Sequence, residues 1–262
     1  MYNFEMTRPH TIADAVAALK EEDAQALGGG QTLIPTLKQR LAMPSTLVSL
    51  TAIGEMQGVC MSTAGEVCIG GATTHGSVAR EATAYPGLMA LAARIGDPAV
   101  RNRGTIGGSL ANNDPSACYP AAALASGASI ITNSREIAAD DYFQGMFTTA
   151  LEEGEIITEV RFPVPEKSHY EKFVQPASRF ALVAVMVAKY ADGVRVAVTG
   201  ASESGVFRWR DAEAALSADF SADALGELSL AGDGMIADLH GSGAYRAHLV
   251  KVMTGRAVTA SN

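Results

Sequence analysis

The chain has 262 residues, enough for one large domain or two to three small ones, and 48% of them are hydrophobic, which allows a proper core. Charged residues are sparse at 18%, and Gly is abundant at 26. The net charge of −8 argues against nucleic acid or an anionic membrane as partner, since both select a basic face.

In chain order, TIADAVAALKEE places Ile12, Ala15, Val16 and Leu19 at helical spacing, with Thr11 and Asp14 resembling a capping box. AQAL is a short strand running into Gly28-Gly29-Gly30. QTLIPTLKQRLAMP reads as a helix closed by Pro44, and TLVSL as a strand, which gives a βαβ-like unit over residues 1–55. EVCIGGATT is a strand ending at Gly70-Gly71. AYPGLMALAARIG is a helix with Leu88, Leu91, Ala92 and Ile95 on one face. DPSACYPAAALASG reads as a helix with Pro115 in its first turn. ASIIT and GEIITEVRFPV are strands, and a third unit opens near His169. RFALVAVMVAKY and VRVAVTGAS form a strand pair turning at Asp192-Gly193. RDAEAAL and GAYRAHLVKVMTGRAV are helices, with TGRAVTASN expected to fray. The order of elements predicts an α+β fold rather than a doubly wound sheet.

Two stretches bury little, LGGGQTLIP and RGTIGGSLANN. Each sets hydroxyl residues beside glycines: Thr32 in the first, Thr105 and Ser109 in the second. A phosphate needs several backbone N–H groups aimed at one point with no Cβ in the way. Gly28–Gly30 and Gly107-Gly108 could supply them from two sides, which suits the pyrophosphate of a dinucleotide. Gly-Gly pairs also make ordinary tight turns. Neither G-x-G-x-x-G nor G-x-x-x-x-G-K-[ST] is present, so Rossmann and P-loop readings fail at the motif.

GGGQTLIPTLKQRLAMPSTLVSL, IGGATTH, GDPAVRNRGTIGGSLANNDPSA, EGEIITEVRFPVP and YEKF, in this order, make the chain similar to a known family. It resembles the FAD-binding medium subunit of molybdenum hydroxylases, the group of aerobic carbon monoxide dehydrogenase and xanthine dehydrogenase. The resemblance implies a non-Rossmann, two-part FAD-binding domain of the PCMH type, residues 1–55 and 56–168, followed by a small α+β domain, 169–262. It implies that Gly28, Gly29, Gly30, Gln31 and Thr32 form one FAD loop, and Thr105, Ile106, Gly107, Gly108 and Ser109 the other. It also places Thr73, Thr74, His75, Asp114, Ile157 and Lys172 near the cofactor, with Phe180 stacking on the flavin. Two positions depart from the family pattern: Cys118 stands where relatives carry a second Asp, and Arg179 stands where they often carry Asp before the stacking aromatic.

The implied partners are a small [2Fe–2S] subunit and a large molybdopterin subunit, as a dimer of heterotrimers, in which this chain passes electrons to an external acceptor. Cys60, Cys68 and Cys118 are too few and too scattered for a cluster or a zinc site of the chain's own, and they fit a reducing cytoplasm. No apolar run reaches the roughly 18–20 residues of a membrane span. The N-terminus lacks the form of a signal peptide. No metal site and no catalytic acid or base is expected. His75, Lys172 and Cys118 also have plain readings, as a turn histidine, a solvated strand lysine and a buried small apolar residue. Arg101 and Arg103 would pair with carboxylates or meet an anion, and the methionines at 43, 56, 61, 89, 146, 186, 235 and 253 would fill the core. A stand-alone FAD oxidoreductase and a scaffold subunit that has lost FAD are the alternatives.

Overall fold

The computed structural model describes residues 1–262. Its first unit is a parallel sheet in which β1 (Glu5–Thr7) and β2 (Ala24–Leu27) flank β3 (Thr46–Ser49). Helix α1 (Ile12–Ala18) starts at Thr11, whose hydroxyl accepts the Asp14 N–H at 3.1 Å. The reciprocal arm of a capping box does not form; the Thr11 hydroxyl instead donates to the Asp14 carboxylate at 2.7 Å. Helix α2 (Leu33–Lys38) is shorter than its sequence suggests, ending well before Pro44. Only Leu37 is buried, and Arg40 turns left-handed at φ 60°, so no apolar face sustains another turn.

The second unit is an antiparallel sheet ordered β4 (Val59–Met61), β5 (Glu66–Gly70), β10 (Ile157–Pro163), β6 (Ser129–Thr132), β7 (Glu136–Ala138). Between β5 and β6 come α3 (His75–Glu81), α4 (Pro86–Ala93), α5 (Pro98–Arg101), α6 (Ile106–Asn112) and α7 (Tyr119–Ser126). Helix α7 begins four residues after Pro115, with Pro120 in its first turn; the Pro115 carbonyl accepts from the Thr199 hydroxyl and the Gly200 N–H instead. After β7 come α8 (Ala139–Tyr142) and the small hairpin of β8 (Phe143–Gly145) and β9 (Thr148–Thr149).

The third unit is an antiparallel sheet of β11 (Lys167–Val174), β12 (Ala181–Tyr190), β13 (Gly193–Thr199) and β14 (Phe207–Arg208), with α9 (Arg210–Ala218) and α10 (Gly243–Ser261) on one face. Successive side chains of β12 point to opposite faces. Val183, Val185 and Val187 meet α9 and α10, while Ala184, Met186 and Ala188 join the core of α4 and α7. The alanines let the Ala121–Ala125 stretch of α7 approach closely. One core of 31 residues therefore spans both large sheets. The C-terminal segment is helical to Ser261 rather than frayed, because Met253, Ala257 and Val258 are buried against that sheet. Of the methionines, Met56, Met186 and Met253 fill the core, whereas Met43, Met61 and Met146 are exposed.

Candidate cofactor site

A cavity of about 720 Å³ lies where the three units meet, large enough for a cofactor. The first unit contributes Gly28–Thr32, the second contributes His75, Thr105, Gly107–Ser109, Asp114 and Ile157, and the third contributes Lys172 and Phe180. Three of the expected residues stay out of the wall. Thr73 turns its hydroxyl to the backbone of Gly58, Thr74 caps α3 through the Ser77 N–H, and Ile106 is wholly buried in the core.

The two glycine segments do different work. From Gly28 to Thr32, five consecutive backbone N–H groups find no acceptor in the protein. Such a run of unpaired N–H groups at a cavity wall could cradle an anion. The second segment has no such supply. Its Gly107 N–H donates to the Gly71 carbonyl at 2.9 Å, its Gly108 N–H to the Thr105 hydroxyl at 3.2 Å, and its Ser109 N–H to the Thr105 carbonyl at 3.0 Å. The supposed loop is the first turn of α6, capped by Thr105. It offers the cavity the Thr105 and Ser109 hydroxyls and a smooth glycine surface, not a second set of donors.

Most of these glycines exist for chain-to-chain contact. A Cβ on Gly28 would lie 2.7 Å from the Thr105 hydroxyl, and one on Gly29 would overlap the Arg103 carbonyl. One on Gly107 would lie 2.6 Å from the Gly71 oxygen. The glycines thus let the 28–30 turn dock on 103–108. Gly108 differs: it is exposed, and its Cβ would meet only the Thr105 hydroxyl, at 3.0 Å. A side chain there would stand in the cavity, which is the sign of a wall shaped for a ligand.

His75 opens α3, with its N–H donating to the Gly104 carbonyl at 2.9 Å. Its ring is 5% exposed, lies 5.3 Å from Tyr119, and leaves Nδ1 without a partner. Burial, aided by the Arg101 charge, lowers its pKa to about 4, so the ring is neutral at physiological pH. The plain reading of a turn histidine does not hold. Neither does a solvated Lys172, which is 5% exposed and donates to the Arg94 carbonyl at 3.1 Å and the Cys118 sulfur at 3.5 Å. Glu171 lies on the other face of the strand, beside Arg94 and His169. Asp114 binds the Ser116 N–H at 2.8 Å through one oxygen. Glu155, also in the wall, is held by Arg135 at about 2, far below the carboxylate range. Arg101 meets the carbonyls of Ile95 and Gly96, not a carboxylate.

Phe180 stands at the rim, 49% exposed, in the β11–β12 turn. Its N–H donates to the Ser178 hydroxyl at 3.3 Å and its carbonyl accepts from Gln175 at 2.9 Å. Arg179 beside it is left-handed at φ 63°. A large apolar side chain held out by a strained turn could cover a ligand in the cavity. Gly71, Gly104 and Ala117 also line the cavity; they fall within the quoted motifs but are not among the expected site residues. Only tertiary neighbours mark them: a Cβ on Gly104 would lie 2.5 Å from the His75 ring.

A cradle of N–H dipoles, a roomy cavity, a projecting aromatic and a buried lysine suit a flavin dinucleotide. The comparisons agree. Residues 2–165 match the family described as the FAD binding domain in molybdopterin dehydrogenase, and the chain belongs to that family. More particularly, it is of the medium, FAD-carrying subunit type of molybdenum hydroxylase. It is 40% identical to the carbon monoxide dehydrogenase medium chain of Afipia carboxidovorans over 71% of this chain and 68% of that one. It is 34% identical to the nicotine 6-hydroxylase medium subunit of Paenarthrobacter nicotinovorans over 95% and 94%. The reconstituted CO dehydrogenase from Oligotropha carboxidovorans superposes with a TM-score of 0.89 at 32% identity, covering 99% of this chain and 98% of that chain. No helix is long and apolar enough to cross a membrane.

Proposed function

We propose that this chain is the electron-exit subunit of a cytoplasmic molybdenum hydroxylase. It takes electrons from a small [2Fe–2S] subunit served by a large molybdopterin subunit and delivers them to an external acceptor, in a dimer of heterotrimers. FAD supplies the chemistry, accepting electrons and handing them on; the chain binds, orients and shields it. The observation that carries this reading is the run of five unpaired N–H groups, Gly28 to Thr32, at a cavity built by all three units. Those groups would hold the diphosphate, with the Thr105 and Ser109 hydroxyls opposite. Asp114, His75 and Ile157 would line the cofactor further along, Lys172 would present a buried cation, and Phe180 would cover the flavin face. Units 1–55 and 56–168 would close on FAD from two sides, while 169–262 completes the wall. The relatives' names span carbon monoxide and nicotine as substrates, which accords with a substrate chosen by the large subunit.

The test is rapid mixing of the FAD-loaded chain with a chemically reduced small iron–sulfur subunit isolated from the same cells. Flavin bleaching that saturates at stoichiometric partner supports the relay. A chain that oxidises an organic substrate by itself, or is never reduced by that partner, overturns it.

A further inference from the structure

The Cys118 sulfur sits at the start of α7, in the cavity wall, with Lys172 Nζ 3.5 Å away. Both residues are only 5% exposed, so what exposure they have opens into the cavity. Tyr170 lies two residues before Lys172 on β11, on the same face of the strand. Its hydroxyl is wholly buried and has no hydrogen-bond partner. The phenol is held well above its ordinary pKa, first by burial and then by the Cys118 sulfur it faces. An unpaired buried hydroxyl is costly. Tyr170 and Cys118 belong to the same buried cluster, so the phenol borders the sulfur.

We propose that Cys118 is an oxidation site whose product Lys172 captures as a covalent cross-link. Hydrogen peroxide is the oxidant. The thiol takes one peroxide oxygen as the O–O bond breaks, giving Cys118 sulfenic acid, and the other oxygen leaves as water. The Lys172 amine then attacks the sulfur, the S–O bond breaks, and the departing hydroxide takes a proton from Nζ to leave as a second water. An ammonium at Lys172 releases one further proton to solvent. The product is an S–N sulfenamide that ties β11 to the start of α7 and removes a cation from the cavity wall. Sulfur has lost two electrons and peroxide has gained them. The exposed Cys60 and the buried Cys68 have no amine within hydrogen-bond reach, so they cannot follow this route.

The full chain, with and without FAD, is treated with hydrogen peroxide, digested and read by mass spectrometry. The expected result is a peptide pair joined through Cys118 and Lys172, lighter than its two parts by two hydrogens, formed in the FAD-free chain and suppressed by bound FAD. Lys172→Met, or Lys172→Gln if the first is misfolded, loses the cross-link, and a 1,3-diketone probe then labels Cys118. Cys118 remaining a thiol while Cys60 oxidises overturns the proposal. So does passage of Cys118 to sulfinic acid as fast in the parent as in the lysine variant. The protection arm rests on the FAD reading and the cross-link does not: a cross-link that FAD leaves unaffected counts against that reading alone.

Discussion

At the residue scale, the two glycines Gly29 and Gly108 separate structure from ligand contact. Gly108→Val places its branches in the cavity with only the Thr105 hydroxyl to displace. We expect a folded chain that retains no FAD, checked by circular dichroism and by flavin absorbance after desalting. Gly29→Val drives a side chain into the Arg103 carbonyl and is expected to lose thermal stability as well. Normal flavin content in Gly108→Val contradicts the placement of the cradle. His75 gives a pH signature. Its folded pKa of about 4 lies below the unfolded value of 6.5, so its contribution is whole above pH 6.5 and lost as pH falls toward 4. A shift of that size corresponds to about 3 kcal/mol. Denaturant titrations of the parent and His75→Gln between those limits should diverge by that order; parallel pH profiles contradict the burial of a neutral ring. Glu155, whose folded value of about 2 lies below its unfolded 4.5, loses its own contribution only below about pH 4.5 and is common to both proteins.

At the element scale, α6 is the part the sequence hid. Gly107, Gly108, Asn112 and Asn113 are poor helix residues, and the stretch reads as a loop on propensity. The helix forms because Thr105 caps it and because Ile106 and Leu110, four apart, are both fully buried. It stops at Asn113, left-handed at φ 43°, whose amide donates to the Gly145 and Thr148 carbonyls at 2.8 and 2.9 Å. The cap and the spacing were present in the sequence, but the glycines outweighed them. The receiving carbonyl of Gly71 is far away along the chain, so no local signal showed that Gly107 had spent its N–H. The triple glycine was legible because its donors remain free. Thr105→Val should remove the cap at a cost of about 1 kcal/mol. That lowers Tm by about 2 °C in a chain of this size. An unchanged Tm means that the docking of 28–30 on 103–108, not the cap, holds the turn.

At the scale of the whole molecule, the cavity belongs to no single unit. The shared core places it: the small-residue face of β12 seats α7 against the C-terminal sheet, which sets Cys118, at the start of α7, against Lys172 on β11, with Asp114 in the connection from α6 lining the same cavity. Ion pairs reinforce the join, with Asp140 of α8 held by Arg195 at 2.7 Å and Arg208 at 3.2 Å. The α+β class and the strand pair at Asp192-Gly193 were readable from local patterns. The meeting of 28–32, 105–114 and 172–180 was not readable from pattern alone, because contacts so distant along the chain leave no periodicity. Resemblance to a family supplied that grouping, and the structure places Thr73, Thr74 and Ile106 behind the wall rather than in it.

The most direct measurement is the visible absorbance of the purified chain, before and after incubation with FAD and desalting, with the released flavin identified. Flavin bands that survive desalting, release of FAD rather than FMN, and a stoichiometry of one per chain are the expected result. A chain that stays colourless both alone and within its isolated complex, or that retains FMN as readily as FAD, contradicts the dinucleotide cradle at Gly28–Thr32.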